Sequence, residues 1–361
     1  MILCDYEPMK MLLFTALSVI LSLISMPLII LGCKKFNLYD YHDERKIHSG
    51  NISRLGGLGI VFSFLVCTVL YLVTERSLAM AEYFPILVSG AIIFVFAIVD
   101  DILNLPAIVK LIVQLVAVVI VTFSGYRFNQ IFGWQLPTVV SIIITFGWIL
   151  GVTNAYNLID GLDGLCGTLS FTTITTLGVL YLLSGNKEAA MCFILAGAIL
   201  GFLCFNWPPA KLFMGDNGSQ FLGFMIATLP FYNTSSEAFK YNKFLIMIVL
   251  TSFAVFDTIA AIWRRLRDKK PIMTGDRSHL HHKLINMGYS KKTALYLIAF
   301  IQTLLCLSVV VSYFLGAEKG MALLLESFSF MVVFFSIIHY TNRKVMLRTK
   351  NEAAATPESS V

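Results

Sequence analysis

Charge is what this chain has least of. Asp, Glu, Lys and Arg make up 13% of its 361 residues against 57% hydrophobic ones, and the mean hydropathy is +0.79. That balance excludes an ordinary soluble domain and fits a polytopic membrane protein. Cysteine pairs are missing as well: Cys4, Cys33, Cys67, Cys166, Cys192, Cys204 and Cys306 include no CxxC, so they read as core residues, neither disulfides nor zinc ligands. No GxxxxGK[ST] run is present, which excludes a P-loop. The first apolar run, 11–31, lacks a basic lead-in and a small-residue cleavage site, so it reads as a retained first helix. A net charge of +6 describes a basic surface facing anionic lipid and makes no case for nucleic acid.

The polar residues that do occur are gathered. Five clusters, at 33–56, 100–110, 154–167, 206–216 and 264–292, hold nine of eleven aspartates and five of six histidines. The apolar stretches between them are each broken once near the middle, at Glu75-Arg76, Tyr126 to Asn129, Asn186 to Glu188 and Asn233 to Lys243. A bilayer-spanning helix needs ~20 apolar residues, so each stretch reads as an out-and-back hairpin and all five clusters return to one face. The expected helices are 11–32, 57–74, 83–99, 107–124, 137–154, 168–184, 189–205, 217–233, 243–263, 293–315 and 320–340. This predicts an all-α integral membrane protein of about eleven transmembrane helices, one polytopic domain over 1–348 and a disordered tail over 349–361. Twenty of the 27 Lys and Arg fall on the cluster side. Basic short loops stay with the cytoplasm, so the N-terminus is expected outside, the C-terminus inside and the site in cytoplasmic loops.

Ionised Asp at the centre of a span costs about 2.5–3.5 kcal/mol, so burying Asp100, Asp101, Asp160, Asp163 and Asp216 there would cost roughly 13–17 kcal/mol. Helix ends avoid most of that cost. Five clustered carboxylates still repel one another unless a cation sits among them, and oxygen ligands without a nearby thiolate favour a hard divalent ion.

Within the clusters, Asn154 and Asn157, then Asp160 and Asp163, are spaced i, i+3, with Gly161, Gly164 and Gly167 allowing close backbone approach. A polar cap and turn would explain one Asn and one Asp, not four. Asp216 precedes a helix and, alone, could be only its N-cap. Lys211, Phe213, Gly215-Asp216 and Gly218-Ser219 together point to phosphate and ring recognition, with Asn206 just ahead. Asp100 and Asp101 diverge by about 100° on a helix, so one is expected to bind while the other orients. Lys110 and Gln114 share one face of the next helix. Arg277, His279, His281 and His282 have no second His or Cys group to complete a zinc site, and suit an anionic or hydroxyl-rich ligand. Asp257, about two turns inside its helix, is expected to make a structural hydrogen bond.

In order and wording, these clusters resemble the polyprenyl-phosphate N-acetylhexosamine-1-phosphate transferase family. The matching segments are Arg45-Lys46-x-His48 with Gly56-Gly57, Asp100-Asp101 with Lys110 to Gln114, Asn154 to Gly164, Phe213 to Ser219, and His279-x-His281-His282. The last spelling is similar to the WecA and TagO branch, which uses UDP-GlcNAc. Ser53 stands where the family commonly has proline. The resemblance implies transfer of a sugar 1-phosphate from a UDP-sugar to undecaprenyl phosphate with release of UMP, at the bacterial inner membrane. This would be the first membrane step of an envelope polysaccharide such as O-antigen, lipopolysaccharide or teichoic acid.

It further implies that Asp216 and Asn157 ligand Mg²⁺, with Mn²⁺ as a substitute. Asp163, Asn206 and Phe213 would hold the uridine, and Gly161 would let the backbone approach it. Lys46 and Lys110 would steady phosphates, Asp100 would deprotonate or orient the lipid phosphate, and Asp101 and Asp160 would support that geometry. His48 and Asn154 join the substrate-binding set, and Arg277, His279, His281 and His282 would contact the pyrophosphate and sugar. The same reaction with another UDP-N-acetyl sugar stays open, as does a homodimer. A transporter would place its acids near the midplane on related halves, and no half-repeat is evident.

Overall fold

A computed structural model describes residues 6–38, 52–75, 80–103, 105–232, 236–269, 271 and 279–355. The architecture is all-α: α1 (Tyr6–Phe36), α2 (Gly56–Thr74), α3 (Met80–Leu103), α4 (Ala107–Phe123), α5 (Thr138–Ile159), α6 (Leu165–Leu183), α7 (Glu188–Asn206), α8 (Asp216–Thr228), α9 (Glu237–Arg267), α10 (Leu280–Asn286) and α11 (Lys291–Ala355). Two short strands, β1 (Gln130–Ile131) and β2 (Trp134–Gln135), form an antiparallel hairpin between α4 and α5. The sequence shows this place only as a polar break.

Among the described residues eight helices are long and apolar enough to cross a membrane. Eleven spans were expected, and three differences account for the gap. At 17 residues α4 falls short, and α8 has 13 residues, about 20 Å of helix against a hydrocarbon core of about 30 Å. The two expected C-terminal segments are one element, α11, interrupted at Gly316, where φ is +81°. The chain reverses there: Ser327 Oγ donates to Ser308 Oγ at 2.9 Å across the two limbs. Helix continues to Ala355, beyond the expected start of the tail, and 356–361 lie outside the described residues. The segment after α9, expected as loop, holds the short α10.

Packing follows the rules of a lipid-immersed bundle. Gly197 and Gly201, one turn apart, bring the α7 backbone against α1, where added Cβ atoms would stand 2.7 Å from Thr15 O and 2.5 Å from Ser22 Cβ. Ser18 and Ser22 use that closeness to donate to Ile194 O at 2.8 Å and Ala198 O at 2.7 Å. Outward faces stay apolar, as with Leu12, Leu28 and Phe314. Five of the six described cysteines are buried as expected, while Cys204 is exposed.

At the centre stands α8, buried from Asn217 to Thr228 and flanked by α2, α3 and α5. Its N-terminus meets the C-terminal ends of α3, α5 and α7 and the N-terminal ends of α2 and α4, so the polar residues of four clusters converge at one end of the bundle.

Candidate active site

The approach to α8 is built from two backbone segments. Phe213 N donates to Ser53 O at 2.8 Å, Gly56 N to Phe213 O at 2.9 Å and Gly57 N to Met214 O at 2.8 Å. Gly215 follows with φ +77° and ψ 169°, a conformation open to glycine alone. The free N–H groups beyond it are claimed by α3: Asp101 Oδ1 accepts from Asp216 N at 3.1 Å, and Asp101 Oδ2 from Asn217 N at 3.0 Å and Asn217 Nδ2 at 2.6 Å. A carboxylate 115 residues away thus caps α8, where it also meets the positive end of the helix dipole. Asp216 is therefore not the cap of its own helix, and its side chain is left for other work.

That side chain meets Lys110. Lys110 Nζ is paired with Asp100 Oδ2 and lies 3.1 Å from Asp216 Oδ2, so one ammonium bridges two carboxylates from different helices. The backbone fixes Asp100 from its other side, Oδ1 accepting from Leu105 N at 2.9 Å. Adjacent aspartates therefore do divide their roles, Asp100 holding the lysine and Asp101 the helix. Behind them, Gln220 Nε2 donates to Asp216 Oδ2 at 3.3 Å, Gln114 Nε2 to Gln220 Oε1 at 3.0 Å and Asn154 Nδ2 to Gln114 Oε1 at 2.8 Å. Asn154 thus supports the carboxylates through amides, while Asn157 Nδ2 donates to Ser219 Oγ at 3.0 Å on the first turn of α8.

Asp160, just past the end of α5, is half-buried, and no described residue gives it a hydrogen bond or ion pair. Burial, then the Asp216 and Asp101 carboxylates, push it up to about 7, with Arg54 opposing. The folded chain therefore keeps a proton that the unfolded chain releases near 3.8. Stability must then fall as pH rises between those two values, because the native state binds more protons there. With chelator present, thermal unfolding in detergent is expected at lower temperature at pH ~8 than at pH ~5.5, and Asp160→Asn is expected to flatten that slope. An unaltered slope in the variant would remove Asp160 as its source.

The histidine segment is tied down by Asp257, whose partners the sequence did not reveal. Asp257 in α9 is buried and binds His279 Nδ1 at 2.8 Å through Oδ2 and Leu280 N at 2.8 Å through Oδ1. The expected structural hydrogen bond exists, and it anchors the start of α10. His281, expected at the pyrophosphate, is buried against Gly161, whose added Cβ would lie 2.7 Å from the imidazole. Among the described residues neither ring nitrogen has a partner, and burial, then His282, push its pKa down to about 3, so the ring stays neutral. Gly161 thus admits a histidine ring in this structure, and His282 packs 4.3 Å from His281 between ring centres.

Comparison with known proteins bears on this assembly. A family model described as "Glycosyl transferase family 4" matches residues 83–233, which hold both carboxylate pairs, Lys110 and Asp216. The "Probable undecaprenyl-phosphate N-acetylglucosaminyl 1-phosphate transferase" of Bacillus subtilis is 33% identical over 315 residues, covering 82% of this chain and 84% of that protein. The chain belongs to the polyprenyl-phosphate N-acetylhexosamine-1-phosphate transferase family. Similarity extends to the "Decaprenyl-phosphate N-acetylglucosaminephosphotransferase" of Mycolicibacterium smegmatis, 29% identical over 73% of this chain and 72% of that one. The "Undecaprenyl-phosphate alpha-N-acetylglucosaminyl 1-phosphate transferase" of Escherichia coli K12 is 27% identical over 84% and 83%.

Against that family's expected site, the geometry divides the residues. Asp100, Asp101, Lys110, Asn157, Asp160 and Asp216 gather around the start of α8. Asn206, expected at the uridine, has its amide committed to the fold, accepting from Gly164 N at 2.9 Å and donating to Leu212 O at 2.8 Å. Asp163 is buried and accepts from Ala210 N at 3.1 Å. These two brace the loops that carry Asp160 and Phe213, and Phe213 itself remains partly exposed. Lys46, His48 and Arg277 lie outside the described residues.

Proposed function

We propose that this transferase moves N-acetylglucosamine 1-phosphate from UDP-GlcNAc to undecaprenyl phosphate and releases UMP, at the first membrane step of an envelope polysaccharide. The observation that carries the reading is the Lys110 ammonium bridging Asp100 and Asp216 beside Asp160, which has no hydrogen-bond or ion-pair partner among the described residues. The names of its relatives from Bacillus subtilis and Escherichia coli supply the sugar and the lipid.

In balanced form, an oxygen of the lipid phosphate attacks the sugar-side phosphorus of the donor. The bond from that phosphorus to the bridging oxygen breaks, and UMP leaves with that oxygen and its electron pair. Little covalent work falls to the protein, so positioning and charge neutralisation carry the acceleration. Lys110 supplies fixed positive charge where two anions must meet. Asp100, held by Lys110 and Leu105 N, orients the acceptor phosphate and takes its proton if it arrives as the monoanion. Asp101 keeps the start of α8, and with it Asp216, in register.

The donor set fits Mg²⁺. Asp216, Asp160 and the Asn157 amide offer only hard oxygens, and Cys166 keeps its thiol on Tyr156 O at 3.6 Å. Among the described residues no three His, Cys, Asp or Glu form a ready cage, which suits an ion taken by one or two carboxylates and completed by substrate phosphates. Asp216 and Asn157 would hold it, Mn²⁺ substituting, and when bound it neutralises pyrophosphate charge. Placing this end in the cytoplasm of a bacterial inner membrane, with the N-terminus outside and the C-terminus inside, rests on the basic residues flanking the site-side helix ends, Lys34 and Lys35 of α1 and Arg264, Arg265 and Arg267 of α9.

The test is purified protein, undecaprenyl phosphate and a panel of labelled UDP-sugars with and without Mg²⁺. UMP release with label in the lipid is expected for UDP-GlcNAc. Label moving only with UDP-GalNAc or another UDP-N-acetyl sugar would correct the donor, and uptake into vesicles without UMP would reject the reaction.

A further inference from the structure

At the end of the bundle opposite the carboxylates, a cavity of about 590 Å³ opens between α3, α4, α7, α9 and the turn at 229–232. Its walls carry Glu82 and Glu188 and the cations Arg127, Lys240 and Lys243. Lys240 is accounted for by Glu237 at 2.7 Å. Glu188 accepts from the Asn186 side chain and from its own backbone N–H, but among the described residues neither it nor Glu82 pairs with a cation, and Arg127 and Lys243 form no ion pair with a carboxylate. Lys243 Nζ instead donates to Tyr232 O at 3.3 Å, and among the described residues the buried Tyr232 hydroxyl has no partner. Opposite charges that share one cavity without touching leave room for a ligand bearing both signs.

The rim tells where that ligand comes from. Phe123 and Trp134 stand 68% and 80% exposed, Phe123 next to the cavity-lining Ser124 and Trp134 across the hairpin from Ile131, the neighbour of the lining Gln130. Exposed rings at the end of apolar helices belong at headgroup level, with lipid tails along the helices below. A phosphodiester matches the flat guanidinium fork of Arg127 and the point charge of Lys243. A primary ammonium can give hydrogen bonds to Glu82 and Glu188, which a quaternary ammonium lacks the N–H groups to do. The volume is that of a small-ligand site. We infer that this cavity is a second binding site, for the phosphoethanolamine headgroup of a lipid in the leaflet opposite the catalytic end. It requires the bundle to sit in a bilayer and is independent of the donor assigned above.

Full-length protein in detergent, exposed to equal amounts of phosphatidylethanolamine, phosphatidylglycerol and phosphatidylcholine, is read by native mass spectrometry. One phosphatidylethanolamine per chain is expected to be retained about tenfold over either competitor, as charge-assisted hydrogen bonds to both ends require. Combined Arg127→Ala and Lys243→Met should abolish that retention. Glu82→Gln with Glu188→Gln should leave binding but erase the preference over phosphatidylglycerol. Transfer activity at the other end should survive in both, showing an intact fold, and if either double variant fails to fold, Arg127→Lys and Glu82→Gln singly carry the comparison. Equal retention of the three lipids, or retention unmoved by the cation variants, overturns the inference. So does saturation by soluble phosphoethanolamine without retention of the intact lipid, which would mark a free zwitterion as the ligand.

Discussion

Asp216→Ala is expected to abolish sugar-phosphate transfer while the chain stays folded, and Asp100→Asn and Lys110→Met to lower it by about a thousandfold. The size follows from what each removes. Fixed charges placed where phosphoryl charge is stabilised are worth roughly 10³–10⁵ in rate, and among the described residues Lys110 is the charge shared by both carboxylates. Losing Asp216 removes one of the two residues that would hold the metal and leaves Lys110 paired with Asp100 alone. Stability should change little, because Asp101, not Asp216, caps α8. Initial rates of UMP release, with unfolding temperature as the fold control, decide it. Full turnover by Asp216→Ala would refute the assigned role, and normal rates in Lys110→Met would refute charge neutralisation by Lys110.

Gly215→Ala is expected to disable the site from the residue next door. At φ +77° and ψ 169° an alanine costs about 1–3 kcal/mol in backbone strain alone. Its Cβ would also run into Arg54 O and stand 2.7 Å from Asn217 Nδ2 and 2.9 Å from Asp101 Oδ2. Those are the groups that fix the start of α8, so the strain is relieved by moving the cap. Transfer should drop at least about tenfold together with a lower unfolding temperature, since a misplaced reacting group forfeits positioning. Gly288→Ala is the matched control: its φ is +93°, and nothing lies within 4 Å of an added Cβ. If both variants behave alike, the loss is backbone strain and the crowding at Asp101 is irrelevant.

Much of the site could be read from residue order. Asp100, Asp101, Lys110, Asn157, Asp160 and Asp216 were legible because acids and amides are costly in lipid and must surface together. The division of labour within the Asp pair followed from helix geometry, and the structure shows which does which. Asp257 was legible only as a structural anchor. Nothing in its own helix signals that His279 and the start of α10, over twenty residues later, are what it holds. The bracing bonds of Asn206 and Asp163, both expected at the uridine, were equally hidden in the sequence. Their motif sits beside the site, yet loop backbone with unsatisfied N–H and C=O groups took their hydrogen bonds. The close α1–α7 packing at Gly197 and Gly201 also needed a partner helix to become visible.

Hydropathy and the spacing of polar clusters by themselves settled an all-helical membrane chain with its acids gathered at one end, because solvation cost is local to each segment. Which helices are full spans, where α11 turns back at Gly316, and which side chains face the opening instead of bracing it were decided only in three dimensions. Those outcomes depend on partners distant in sequence competing for the same hydrogen bonds and the same space. No single segment carries that information.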